Sequence, residues 1–124
     1  MPEPDIVLDA SVLEDLADAV GGDRPFVVDL IKTFIADGEQ QLAEIATALA
    51  ADDAAAVVRP AHTLKSSSAT VGAPALAAAA RAIELAGRAG KLGTVAGDAG
   101  MRILREAWDD ATRELRAWVA GETA

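Results

Sequence analysis

The chain has no cysteine. That excludes disulfides, thiolate metal sites and thiol catalysis, and it fits a reducing compartment. Aromatic residues make up 3% of the 124 residues. Strand-forming runs are therefore few, and the abundant alanine favours helices. No apolar run can span a bilayer: "VGAPALAAAA" contains Pro74 and is half the length of about 20 residues that a spanning helix needs. The N-terminus "MPEPDIVLDA" lacks the basic and apolar regions of a signal peptide, so the sequence predicts a cytoplasmic protein with no membrane contact. Cations are also scarce. A net charge of -9 argues against nucleic acid, whose phosphates need clustered Lys and Arg. Neither a 20–50-residue repeat nor an internal linker is visible, and the length suits one domain with its own core.

What is present reads as five helices. "DASVLEDLADAVGG" has a candidate N-cap at Asp9 or Ser11 and a stop at Gly21-Gly22,. It is short and is expected to serve as a lid. The second helix opens with Asp23 as cap and Pro25 in the first turn. Val27, Leu30, Ile31, Phe34, Gly38, Leu42, Ile45 and Leu49 form its apolar stripe,. Gly38 weakens the helix by about 1 kcal/mol relative to Ala but permits close approach of a neighbour. The third starts at Asp52 or Asp53, runs to about Thr70 and stops at Gly72. The fourth begins near Pro74 and is closed by Gly90 and Gly93. The last covers roughly 94–120, with Gly97 and Gly100 weakening its start. Its stripe is Met101, Ile103 or Leu104, Trp108, Ala111, Leu115 and Trp118. The tail "GETA" is expected to be loose. Four long helices joined by short turns predict an all-α, antiparallel up-down-up-down four-helix bundle with a short N-terminal capping helix.

The single histidine, His62, lies in "RPAHTLKSSSATVG". At 100° per residue, Val57, Ala61, Leu64, Ser68 and Val71 share one stripe of the third helix. His62 falls roughly 140° from its centre. Lys65, Ser66 and Ala69, three, four and seven residues on, share the face of His62. Imidazole, ammonium and hydroxyl are thus placed together on an outer face kept small by "SSSAT". Serines are mildly unfavourable inside a helix, so they point either to room for a partner or to tight helix contacts. One histidine without cysteine supplies too few ligands for a metal site, and no acid lies three or four residues from His62 on its own helix. A lone surface histidine beside a lysine is also compatible with no function at all. Pro60 removes the hydrogen bond to the Ala56 carbonyl. Either the helix kinks there or its ordered part begins near Arg59.

"AHTLKSSSATVGA" resembles the signature of histidine-containing phosphotransfer (HPt) domains, His-x-Leu-Lys-Gly followed by small residues and a later Gly. His62, Leu64, Lys65 and Gly72 match. "FVVDLIKTFIAD" before the motif and "AIELAGRAG" after it stand in the family's order. The resemblance implies one domain over 1–124, with an ordered core of roughly 8–120. It implies that His62 accepts a phosphoryl group from a receiver-domain aspartyl phosphate and passes it to another receiver, in two-component signalling. Lys65 would sit beside the phosphoryl oxygens and Leu64 in the core. Ser66 replaces the usual glycine and could contact phosphate or partner. Asp37, Gln41, Glu84 and Arg88 would flank the histidine as partner-binding residues, together with Ala69, although the first four also fit a merely solvated helix face. The implied partners are response-regulator receivers and a hybrid sensor kinase. The chain would need no cofactor of its own, with Mg2+ on the receiver.

The chemistry of the residues fits those roles. Neutral imidazole is a nucleophile at cellular pH. Phosphoryl transfer asks mainly for positioning and charge stabilisation, and an ammonium one turn away supplies a cation. No Gly-rich nucleotide loop is present, which predicts a phosphocarrier without autokinase activity. One chain supplies four long helices, which predicts a monomer. The competing reading is an HPt-like adaptor that binds receiver or kinase domains without passing phosphate.

Overall fold

The computed structural model describes residues 6–94 and 98–123. Helix α1 spans Ala10–Ala19, α2 Arg24–Ala50, α3 Ala54–Thr70, α4 Pro74–Arg88 and α5 Asp98–Thr123, with a 3-10 turn at Leu92–Thr94. There is no strand among the described residues. Helix α2 packs on α3 and α5, and α4 packs on the same two. Each of the four therefore has two neighbours, and together they close a bundle around one core. Helix α1 lies against α2 and buries Leu13 and Ala17, as a lid would.

Local chemistry sets the helix starts. Asp9, Asp23 and Asp53 accept from the backbone N–H groups of Ser11, Phe26 and Ala56 at 3.0–3.1 Å. Such a cap contributes about 1 kcal/mol. Helix α4 has Ala73 at its N-cap and no side-chain cap. There the N-terminal segment substitutes. The Ala75 N–H donates to the Ile6 carbonyl at 3.0 Å, and the Asp9 N–H donates to the Gly72 carbonyl at 2.7 Å. Gly72, at φ 79, turns the chain between α3 and α4.

The core follows the expected stripes with local changes. Helix α2 buries Val28 and Ala48 as well, whereas Leu30 is only half-buried. On α5 the inward residue is Leu104, and Ile103 is 55% exposed. Gly38 does serve close approach: a Cβ there would collide with the Trp108 ring. Trp108 packs on Phe34 and donates Nε1–H to Glu39 Oε1 at 3.0 Å.

Several expected boundaries shift. Helix α1 ends at Ala19, before the glycine pair, and α4 ends at Arg88. Thr94 belongs to the 3-10 turn rather than to the last helix, which starts at Asp98. Gly97 lies outside the described residues. The tail corrects the sequence reading most clearly, because α5 continues through Glu122 to Thr123. Arg24 explains why. Its guanidinium donates to Glu122 at 2.6 and 2.7 Å and to Glu14 at 2.6 and 2.8 Å, and it stacks 5.3 Å from the centre of the Trp118 ring. Arg24, itself paired with Glu14, holds the last turn through Glu122 from a distant part of the chain, which sequence periodicity alone does not register.

Candidate functional site

Helix α3 presents the site because its inner face is fully committed. Val57, Ala61, Leu64 and Ser68 are inaccessible to solvent, which fixes the rotation of the helix. His62 is thereby turned outward, with 51% of its side chain exposed. Pro60 lies inside α3 and is itself buried. The helix begins at Ala54, so a start near Arg59 is ruled out. Ser68 faces the tight inner contacts, and Ser67 Oγ donates to the Thr63 carbonyl at 2.9 Å. These two serines serve packing and local bonding. Ser66 and Ala69 are exposed on the side of His62.

Helix α4 supplies what α3 lacks. Glu84 is 3% exposed, despite the expectation of a solvated face. A buried carboxylate is costly unless it is paired, and Glu84 is paired three times. Its Oε2 lies 2.9 Å from His62 Nδ1 and accepts from Arg88 Nε at 2.9 Å. Its Oε1 forms an ion pair with Lys65 Nζ at 2.8 Å, outside hydrogen-bond alignment. Lys65 beside it, with Arg88 and His62, holds the Glu84 carboxyl down to about 2 against the opposing effect of burial. The carboxyl is therefore ionised and can only accept. His62 Nδ1 must then carry a proton, which in the neutral ring leaves the lone pair on Nε2,. The site is an exposed imidazole of fixed tautomer, oriented by a buried carboxylate and flanked by two cations.

The close contact of the two helices makes this possible. A Cβ on Gly87 would lie 2.5 Å from Val57 Cγ1 and 2.9 Å from the Ala54 carbonyl. Glycine at that point lets α4 lie against α3, and Glu84, one turn earlier, reaches His62.

The other expected flanking residues divide. Arg88 joins the cluster through Glu84. Asp37 and Gln41 do not reach His62 by any hydrogen bond. They line a separate groove of about 200 Å³ on the opposite flank of α3, with Thr63 and Ser67. Ala69 lines a third feature, an apolar groove of about 380 Å³ shared with Lys65 and Arg81. The role of Glu84 as the acceptor for His62 is not visible in helical spacing, because the two are 22 residues apart. One signal was available: Glu84 is the only acid between Asp53 and Asp98.

A family model described as the Hpt domain matches residues 29–118, a span that includes His62, Lys65 and Glu84. The chain belongs to the Hpt domain family. Among solved structures, the crystal structure of histidine-containing phosphotransfer protein B (HptB) from Pseudomonas aeruginosa PAO1 is similar to it. The TM-score is 0.83 at 26% identity, over 94% of this chain and 96% of that one. No curated protein matches. The helical bundle with an outward histidine is thus the Hpt fold, and the chain is a histidine phosphotransfer carrier of a phosphorelay. No helix among the described residues is long and apolar enough to cross a membrane.

Proposed function

We propose that His62 is the phosphoacceptor and that its Nε2 takes the phosphoryl group from the aspartyl phosphate of a response-regulator receiver domain. The Nε2 lone pair attacks phosphorus. The bond from phosphorus to the aspartyl oxygen breaks, and the aspartate leaves as a carboxylate. The ring gains positive charge as the Nε2–P bond forms, and Nδ1 keeps its proton. A second receiver's aspartate reverses each change and takes the group away. The observation that carries this reading is the Nδ1–Glu84 hydrogen bond at 2.9 Å. It leaves Nε2 free and outward, and it places a carboxylate where the ring becomes cationic. Electrostatic stabilisation of that kind is the main demand of phosphoryl transfer.

Lys65 and Arg88 supply cations for the phosphoryl oxygens, and Ser66 a small neighbour with a hydroxyl. Asp37, Gln41 and Ala69 lie on grooves flanking α3, where a receiver has room to seat. A hybrid sensor kinase is the upstream source that fits such a carrier. Mg2+ belongs to the receiver in this scheme, and the carrier contributes no metal ligand. It performs no autophosphorylation and works as a monomer, which gel filtration at two concentrations checks.

The test is direct. A receiver domain from the same cell is charged with acetyl phosphate in Mg2+ and mixed with the protein. Acid-labile phosphate should appear on the wild type and not on His62→Gln. If a receiver binds both forms and labels neither, the chain is an adaptor and the carrier role is wrong.

A further inference from the structure

Charge is shared unevenly along the chain. From Ala54 to Lys91 there are five cations, Arg59, Lys65, Arg81, Arg88 and Lys91, and one acid, Glu84. The other residues hold six cations and nineteen acids. The single acid of this hairpin is buried under its partners. Outwardly, α3 and α4 therefore present cationic charge alone, on a chain whose net charge is -9.

Within that hairpin, Arg81, Leu85 and Arg88 are spaced by four and three residues and lie on one stripe of α4. All three are exposed. Leu85 is 47% exposed and stands directly after Glu84. A single exposed leucine is ordinary on a protein surface. This one lies between two arginines and beside the carboxylate that holds His62. Arg88 uses Nε and one terminal nitrogen on Glu84 and keeps the rest of its guanidinium outward. Arg81 has no hydrogen bond or ion pair with any described residue. It borders the apolar groove of about 380 Å³, which Lys65 and Ala69 also line. A free cation, an apolar side chain and a half-free cation thus run in line on the helix whose Glu84 holds His62.

We infer that the Arg81–Leu85–Arg88 stripe of α4 determines which receiver is served, by seating a receiver surface that carries an apolar side chain flanked by carboxylates. This rests on the carrier role proposed above. A uniformly acidic chain would repel such a surface from most directions. The cationic hairpin turns that repulsion into orientation, because approach is favoured only with the His62 side forward. Leu85 then excludes water between the charges and slows departure.

The test uses the receiver that labels His62 fastest. Association is followed by stopped flow over a range of ionic strengths, and the unphosphorylated receiver is titrated by calorimetry so that seating is read apart from transfer. Arg81→Glu should lower the association rate about tenfold at low salt, with the difference closing as salt screens it. Leu85→Ser should raise Kd about tenfold while leaving the salt slope unchanged. Arg102→Glu and Ile103→Ser, exposed on α5, are the controls and should stay near wild type. Circular dichroism checks that each variant is folded.

The possible failures separate. Label on His62 with both α4 variants within about twofold of wild type overturns the inference and leaves the carrier role intact. So does an equal loss in the α5 controls. Binding without label overturns the carrier role, and Kd still decides the stripe. If no receiver binds or labels the chain, both fall.

Discussion

His62 Nδ1 and Glu84 Oε2 stand 2.9 Å apart, on different helices. The pairing makes one ring nitrogen a fixed donor and leaves the lone pair of the neutral ring on the other, the atom proposed above to take the phosphoryl group,. It also gives the bundle a deeply buried charge, the only one among the described residues, neutralised by Lys65 and Arg88. Chemistry and stability at this position therefore share a single carboxylate.

Glu84→Gln should slow phosphoryl transfer to His62 by about 10–100-fold, since a hydrogen bond to a charged group contributes about 1.5–3 kcal/mol. Receiver affinity should change far less, because Glu84 is buried and offers little surface to a partner. Single-turnover transfer and calorimetry separate the two. Equal loss in both would mean that Glu84 supports docking and not the ring.

The same carboxylate predicts a pH dependence of stability. Its folded pKa is lowered from 4.5 to about 2, chiefly by Lys65 and also by Arg88 and His62. A lowered pKa stabilises the folded state fully above the unfolded value, and that contribution is lost as pH falls through the folded one. The gap in urea midpoint between wild type and Glu84→Gln should be constant above about pH 5 and narrow progressively between 4.5 and 2,. A gap as wide at pH 3 as at pH 7 would sink this account.

Lys65→Met should slow transfer about tenfold and leave the fold intact. Its Nζ is 2.8 Å from Glu84 and its side chain is 29% exposed, so the ammonium can turn from the carboxylate to an arriving phosphoryl group. Arg88 remains to pair Glu84 in the variant. Unchanged transfer with normal binding would remove Lys65 from the phosphate site and leave it as a structural counterion.

Gly38→Ala tests the core. Alanine gains about 1 kcal/mol of helix propensity, but the new methyl collides with Trp108, and overpacking costs about 1–3 kcal/mol. The Trp108 ring cannot move freely, held as it is by Glu39 and Phe34. A net loss on the order of 1 kcal/mol in urea denaturation is expected, with a shift in tryptophan fluorescence. A gain in stability would show that the ring yields at no cost.

The sequence by itself determined the helices and most of their inward faces. Apolar spacing is a local property, and Val57, Ala61, Leu64 and Ser68 bury together as their spacing requires. The cap at Asp23 was legible for the same reason, while the choice of Asp53 over Asp52 came only with the structure. So was the outward direction of His62, which follows once the inner stripe is fixed. Contacts between segments far apart in the chain were not legible. Spacing along one helix could not show that Glu84 would be buried against His62, that Asp37 and Gln41 would face a different groove, or that Arg24 would hold Glu122 in the last turn. Those depend on how closely two helices approach and at what register. Packing at Gly87 and Trp108 decides that, and only the tertiary structure brings those atoms together.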